Sequence, residues 1–185
     1  MWWLVACVGT KTESDIDSAV VVEDTEEPTI DDLSWVNPAN LPTAPNACRE
    51  PVRVFAQRVV DGDTFIAKHI DDSGEERIRM IGIDTPEISS GDCYAQEAKS
   101  FLNSLIYGKY VWLTFDETCY DVYDRTLAYV HIGVQEADFV ERQILWEGYA
   151  PAFPWNDTPA FIDLFDADEA MAIANGAGGW SACGW

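Results

Sequence analysis

Between Val59 and Glu87 the chain reads VVDGDTF, then a polar turn, then RIRMIGIDTPE. The apolar residues have the spacing and composition of β-strands. Yet Asp61, Asp63 and Asp84 are set among them, and Arg79 stands between Ile78 and Met80, where a strand buries its neighbours. Asp84, Thr85, Pro86 and Glu87 then end the run in a turn. A charge inside core-like text is costly unless it is paired or binds something. The stretch therefore demands a β-rich fold that brings several charges together, and it marks a candidate site.

The rest of the chain supplies partners for these strands. Strands are predicted over 52–60, 64–70 and 77–83, which form a meander, and over 110–115 and 126–132. Helices are predicted over 94–107 and 138–146, stopped by Gly108 and Gly148, and a third opens at Thr158-Pro159 and ends at Asn175-Gly176. The third helix is expected to turn Phe161, Leu164, Phe165, Met171 and Ala172 inward. Three strands, a helix, two strands and two helices fit an α+β, mainly β fold: a five-stranded OB-fold barrel with three helices.

The sequence has 185 residues, 48% hydrophobic and 12% aromatic, which is enough for one domain with a core. Its 33 acids against 11 bases give a net charge of −22. That balance argues against tight, nonspecific binding to polyanions, which normally needs a basic face. Any action on nucleic acid must come from a local site. Residues 1–9 (MWWLVACVG) are too short to span a membrane. Leu4 to Cys7 resembles a bacterial lipobox, in which Cys7 would be lipidated, although no Lys or Arg precedes it. Residues 10–47 are acidic and then rich in Pro and Asn, and are expected to form a disordered linker. The domain is expected over 48–185. Cys48, Cys93, Cys119 and Cys183 form an even set that allows three pairings and points to an oxidising compartment. No CxxC pair is present, which argues against a zinc ribbon. His69 and His131 lack companion ligands and are expected at the surface or rim.

Singly, the charges have ordinary explanations. Asp61-Gly62-Asp63 reads as a hairpin turn, Asp84 to Glu87 as a capping box, Arg79 as a snorkelling side chain, and Arg125 as a partner of Asp121 or Asp124. Together they supply what phosphodiester cleavage needs. Asp63 and Asp84 offer hard oxygen ligands for a cation such as calcium. Glu87 could activate water, and Arg79 and Arg125 could grip phosphate oxygens in two-pronged fashion.

The ordered set VVDGDTF, IRMIGIDTPE, CYAQEAKSFL, DVYDRTLAYV, FVERQILWEGYA and a terminal helix ending in GGW resembles the staphylococcal nuclease-like (thermonuclease) domain family, from about Val52 to Trp180. The resemblance implies one calcium ion, with Asp63, Asp84 and the Thr85 carbonyl as ligands. It implies Glu87 as general base or orienter of the attacking water, and Arg79 and Arg125 as catalytic arginines. Asp61 matches a less critical acid near the metal. Tyr123 matches a phosphate-contacting tyrosine, and Phe153 and Trp155 stand where relatives place base-stacking aromatics. Val122 and Asp124 depart from the base and glycine that often flank that tyrosine. The resemblance also implies the bridges Cys93–Cys119 and Cys48–Cys183. The expectation is a monomeric, extracytoplasmic bacterial hydrolase, an endo- or exonuclease on DNA or RNA, anchored through Cys7 or secreted. The competing reading is a non-catalytic OB-fold module that binds nucleic acid or protein at the cell envelope.

Overall fold

The computed structural model describes residues 31–154 and 159–185. Cys7, Trp155 and Thr158 therefore lie outside the described residues. Five strands form the body of the protein: β1 (Val52–Asp61), β2 (Thr64–His69), β3 (Glu75–Met80), β4 (Tyr110–Thr114) and β5 (Thr126–His131). They close into a barrel in the order β1-β2-β3-β5-β4. All pairings are antiparallel except β3–β5, which is parallel and sets Arg79 beside Leu127. Helices α1 (Ala95–Ile106), α2 (Val140–Trp146), α3 (Ile162–Asn175) and the short α4 (Gly179–Ala182) pack around it. The predicted barrel is thus present, with one helical turn more than the sequence suggested.

The barrel forms because each strand offers an apolar set. Phe65, Ile78, Leu113, Ala128 and Val130 are fully buried within it, and Leu102 and Ile106 of α1 and Ile144 and Leu145 of α2 close it. Each side chain of this size contributes roughly 1.5–3 kcal/mol on burial. Strand β3 stops at Met80 rather than Ile83, because the backbone leaves the sheet there to make the Asp84 turn. Ile83 instead bridges to Ala152, and the Asp84 amide donates to the Pro151 carbonyl at 3.2 Å.

Several expectations are corrected. In α3, Leu164 and Met171 are exposed, while Asp168 is buried and bonded to Arg142 (2.6 Å) and to the Trp146 indole (2.7 Å). His131 is buried, not at the rim, and sits 2.9 Å from the Thr114 hydroxyl. Burial lowers its imidazole to about 3, so it stays neutral. The residues of the expected linker that are described, from Asp31 on, lie on the barrel. Leu33, Val36 and Leu41 are buried against Trp112 and Val134. The Trp112 indole donates to the Leu33 carbonyl (3.2 Å), and Arg53 donates to the Asp32 carbonyl (2.8 Å).

The disulfides also differ from expectation. The bridges are Cys48–Cys119 and Cys93–Cys183, not Cys93–Cys119 and Cys48–Cys183. The reason lies in the path of the two ends. The Cys48 amide donates to the Asp116 carbonyl at 2.8 Å, so the segment before β1 runs beside the loop after β4 and reaches Cys119. At the other end the Gly179 amide donates to the Gly148 carbonyl at 2.8 Å, which folds α4 back on the barrel and delivers Cys183 to Cys93.

Candidate active site

The site is built at one rim of the barrel by the β1–β2 hairpin, the end of β3 and the loop before β5. The hairpin turn is Asp61-Gly62-Asp63. A Cβ at Gly62 would lie 2.8 Å from both the Ala98 methyl and the Thr85 side chain. Glycine is thus required by space, and its absence of side chain lets the hairpin press onto α1 and the Thr85 turn. The register then does the rest: the Met80 amide donates to the Asp63 carbonyl at 2.9 Å, tying the hairpin to β3.

Asp63 is buried and its carboxylate is well supplied with donors. Oδ2 accepts from the Thr85 amide and hydroxyl, both at 2.9 Å, and Oδ1 accepts from the Thr64 hydroxyl at 2.9 Å. Arg79 Nη2 lies 3.3 Å from Oδ2. Arg79 is itself buried. Its Nη1 donates to the carbonyls of Met80 (2.6 Å) and Ile83 (2.8 Å), and its Nη2 donates to Asp84 Oδ1 (2.7 Å). The guanidinium is clamped by backbone along one edge and offers the other to the two aspartates. Losing Arg79 would leave the buried Asp63 charge without a counter-ion, at about 3–5 kcal/mol, whereas losing Asp63 would leave Arg79 still paired with Asp84.

Asp84 is half-exposed. Burial raises its carboxyl, Arg79 counters that, and the charge of Asp63 adds to the rise, so the net shift is upward. Glu87 is raised to about 7 by partial burial, by a hydrogen bond shared with Asp61, and by the charges of Asp61 and Asp63. The Glu87 amide donates to Asp92 Oδ2 at 3.1 Å, and the Asp92 amide donates back to the Glu87 carbonyl at 3.2 Å. A carboxyl that changes charge near neutrality, with Arg79 close enough to act on it, is suited to take a proton from water.

Arg125 comes from the loop before β5. Its Nε donates to Asp121 Oδ2 at 2.5 Å, and its guanidinium carbon sits 5.5 Å from the centroid of the Tyr123 ring. Asp121 Oδ1 accepts from the amides of Tyr123 and Arg125, both at 2.9 Å. Burial pushes the Asp121 carboxyl up, but the backbone and side-chain donors of Arg125 outweigh it and hold it below the usual carboxylate range. Asp124 takes the left-handed conformation (φ 61°) that closes this turn. The positive charge of Arg125 acts on Asp84, so both loops face one rim. Tyr123 is largely exposed beside Arg125, and Phe153 is partly exposed after the Asp84 turn's partner segment. Trp155 is outside the described residues.

The sequence-predicted residues Asp61, Asp63, Arg79, Asp84, Thr85, Glu87, Tyr123 and Arg125 are therefore brought together. Of the two partners the sequence offered for Arg125, Asp121 takes the role and builds the turn, whereas one positioning residue went unread: Asp92, which clasps Glu87. Asp92 lies in a short polar loop, where turn-forming Asp is the ordinary reading. A metal ion fits the chemistry of the donor set. Asp63, Asp84 and the Thr85 carbonyl are hard oxygens, and the acids here raise one another's pKa, which a cation would relieve. Among the described residues no three acidic, imidazole or thiol groups form a ready-made cage, since Asp63 and Asp84 are turned to Arg79 and Thr85.

Comparison with known proteins adds an independent line. Residues 77–182 match the family model described as staphylococcal nuclease homologue, which spans Arg79, Asp84, Glu87 and Arg125 and begins after Asp63. The chain is 38% identical over 110 residues to a thermonuclease of Staphylococcus intermedius, covering 56% of this chain and 62% of that protein. It is 36% identical over 111 residues to a thermonuclease of Staphylococcus hyicus, covering 58% and 62%. The chain thus spans somewhat under two thirds of the length of these relatives. With fold, rim geometry and family match in agreement, the chain belongs to the family of staphylococcal nuclease homologues.

Proposed function

We propose that the protein is a calcium-dependent nuclease that hydrolyses phosphodiester bonds of DNA or RNA outside the cytoplasm. One observation carries the reading: Glu87, with a pKa near 7, shares a rim with Arg79, Arg125 and two aspartates. The names of the two thermonucleases support it.

In this mechanism Glu87 accepts a proton from water as the water oxygen bonds to phosphorus and the bond to the leaving oxygen breaks. Arg125 is held by Nε alone, and among the described residues its terminal nitrogens have no hydrogen-bond partner, so they can bond two phosphate oxygens. Arg79 meets the developing charge from the buried side, exchanging part of its contact with Asp84 for phosphate. Tyr123 holds the Arg125 guanidinium over its ring and edges the phosphate path. Asp63, Asp84 and the Thr85 carbonyl would hold the calcium ion, which when bound supplies charge neutralisation at the phosphate. Two disulfides support an oxidising location. The lipobox-like Cys7 supports attachment to a bacterial envelope.

The test is a cleavage assay on single- and double-stranded DNA and on RNA, with excess chelator and with calcium restored. Cleavage is expected only with calcium. Undiminished cleavage in chelator would refute the metal role, and no cleavage with any divalent ion would refute the nuclease.

A further inference from the structure

Resting on that nuclease reading, we propose that the hollow between the Asp84–Glu87 turn and Trp185 is a nucleobase pocket. It takes the base of the nucleotide next to the scissile phosphate and favours bases that carry an amino group.

The hollow has a volume of about 310 Å³, and Pro86, Glu87, Asp92, Pro151 and Trp185 line it together with Asp84. That volume is at the low end for small-molecule sites and suits one flat heterocycle. Because Asp84 and Glu87 belong to both the hollow and the catalytic rim, an occupant lies directly beside the reacting phosphate.

Trp185 is a built wall. A Cβ at the buried Gly179 would lie only 2.4 Å from the Trp185 ring, so the glycine is the seat on which that ring rests. The rings of Trp180 (5.5 Å, 83°) and Tyr94 (6.3 Å, 90°) meet it edge to face. The Cys93–Cys183 bridge fastens the backbone two residues before it. Even so, Trp185 remains 38% exposed, which leaves ring surface for stacking. Pro86 and Pro151 add apolar surface across from it.

The acids decide which part of a nucleotide enters. The Asp92 carboxylate in the lining disfavours a second phosphate there, so the occupant is the uncharged base. Carboxylate oxygens accept from exocyclic amino groups, which adenine, cytosine and guanine carry and thymine and uracil lack.

The experiment compares wild type, Trp185→Ala and Trp185→Phe on two single-linkage substrates, the adenine and the thymine deoxydinucleotides. All variants are first checked for an unchanged melting temperature and two intact bridges. Wild type is expected to show the lower KM for the adenine substrate. Trp185→Ala should raise that KM about tenfold, the loss expected for one stacked base, with kcat unchanged. Trp185→Phe should restore most of it. An uncleavable methylphosphonate-linked adenine dinucleotide, titrated by NMR, reads the same affinity without turnover. If wild type cuts neither substrate but binds the analogue in a Trp185-dependent way, the nuclease reading fails and the pocket stands. If Trp185→Ala leaves both KM and analogue binding unchanged, the pocket is overturned. Equal KM for adenine and thymine overturns the amino preference.

Discussion

Glu87 sits where burial, a bond shared with Asp61 and the charge of Asp63 all favour its protonated form, and its pKa rises from 4.5 to about 7. This has a sign for stability. The unfolded chain releases the proton near 4.5 and the folded one keeps it to about 7, so this group's contribution is present at low pH and is lost as pH rises through that window. Metal-free Glu87→Gln should therefore show a shallower decline in melting temperature between pH 4.5 and 7 than wild type, the remainder coming from Glu141. The same variant should lose about 100- to 10,000-fold in kcat, the usual weight of a general base. Equal pH dependence of the two melting curves would show that Glu87 is not strained by its neighbours. Asp121 offers a second residue-level test. Asp121→Asn can still accept the two amide bonds but no longer neutralises Arg125. It should cut kcat about tenfold or more with the fold retained, because a loosely held arginine stabilises charge poorly. The acids and arginines were legible in the sequence, since charge in strand text is conspicuous. Asp121 was legible only as one of two possible partners of Arg125, and Asp92 not at all, because an aspartate in a polar loop is unremarkable until its partners are seen.

At the scale of elements, the strands were readable from their apolar spacing, and the misreadings have physical causes. All six residues of β5 are buried, so it shows no polar face and His131 could not be placed by alternation. The outer side of β5 is covered by α2 and the segment before it, where Phe139 packs 4.6 Å from the His131 ring. In α2, Glu141 is fully buried, and both its oxygens accept from the Val130 amide (3.1 and 3.2 Å). Burial pushes its carboxyl well above the usual range. Stability from this group is thus greatest at low pH and falls as pH rises above 4.5. Glu141→Gln keeps an acceptor for Val130 and cannot ionise. Its melting temperature should exceed wild type by a few degrees at pH 8, with the gap closing at pH 4. A gap that is constant with pH would mean that ionisation of Glu141 is not what limits the wild type. Residues 31–47 were misread for another reason. Leu33, Val36 and Leu41 are buried one at a time in irregular chain, and such packing leaves no period in the sequence.

Over the whole molecule, a net charge of −22 leaves binding to a polyanion to the rim alone, so the rim must hold its shape unaided. The two bridges serve that end. Cys48–Cys119 closes a span of 71 residues, and Cys93–Cys183 one of 90. By the loop-entropy argument each stabilises the fold by about 4 kcal/mol. Replacing Cys93 and Cys183 with serine should lower the melting temperature and reduce kcat, whereas Cys48→Ser with Cys119→Ser should loosen the Arg125 side. Thiol titration with parallel rate measurements checks both. Full activity in the doubly reduced protein would refute any link between bridges and catalysis.

The pattern of these bridges has a temporal consequence. Each of the two rim loops is bridged to a segment remote in the chain, one to the segment before β1 and the other to the segment after α4. A nascent chain therefore cannot lock the Glu87 side until Cys183 has been made, and neither lock closes in a reducing compartment. The cutting activity proposed here would stay latent beside the producing cell's own nucleic acids and ripen only on oxidation. Restored turnover should track bridge formation when reduced protein is reoxidised.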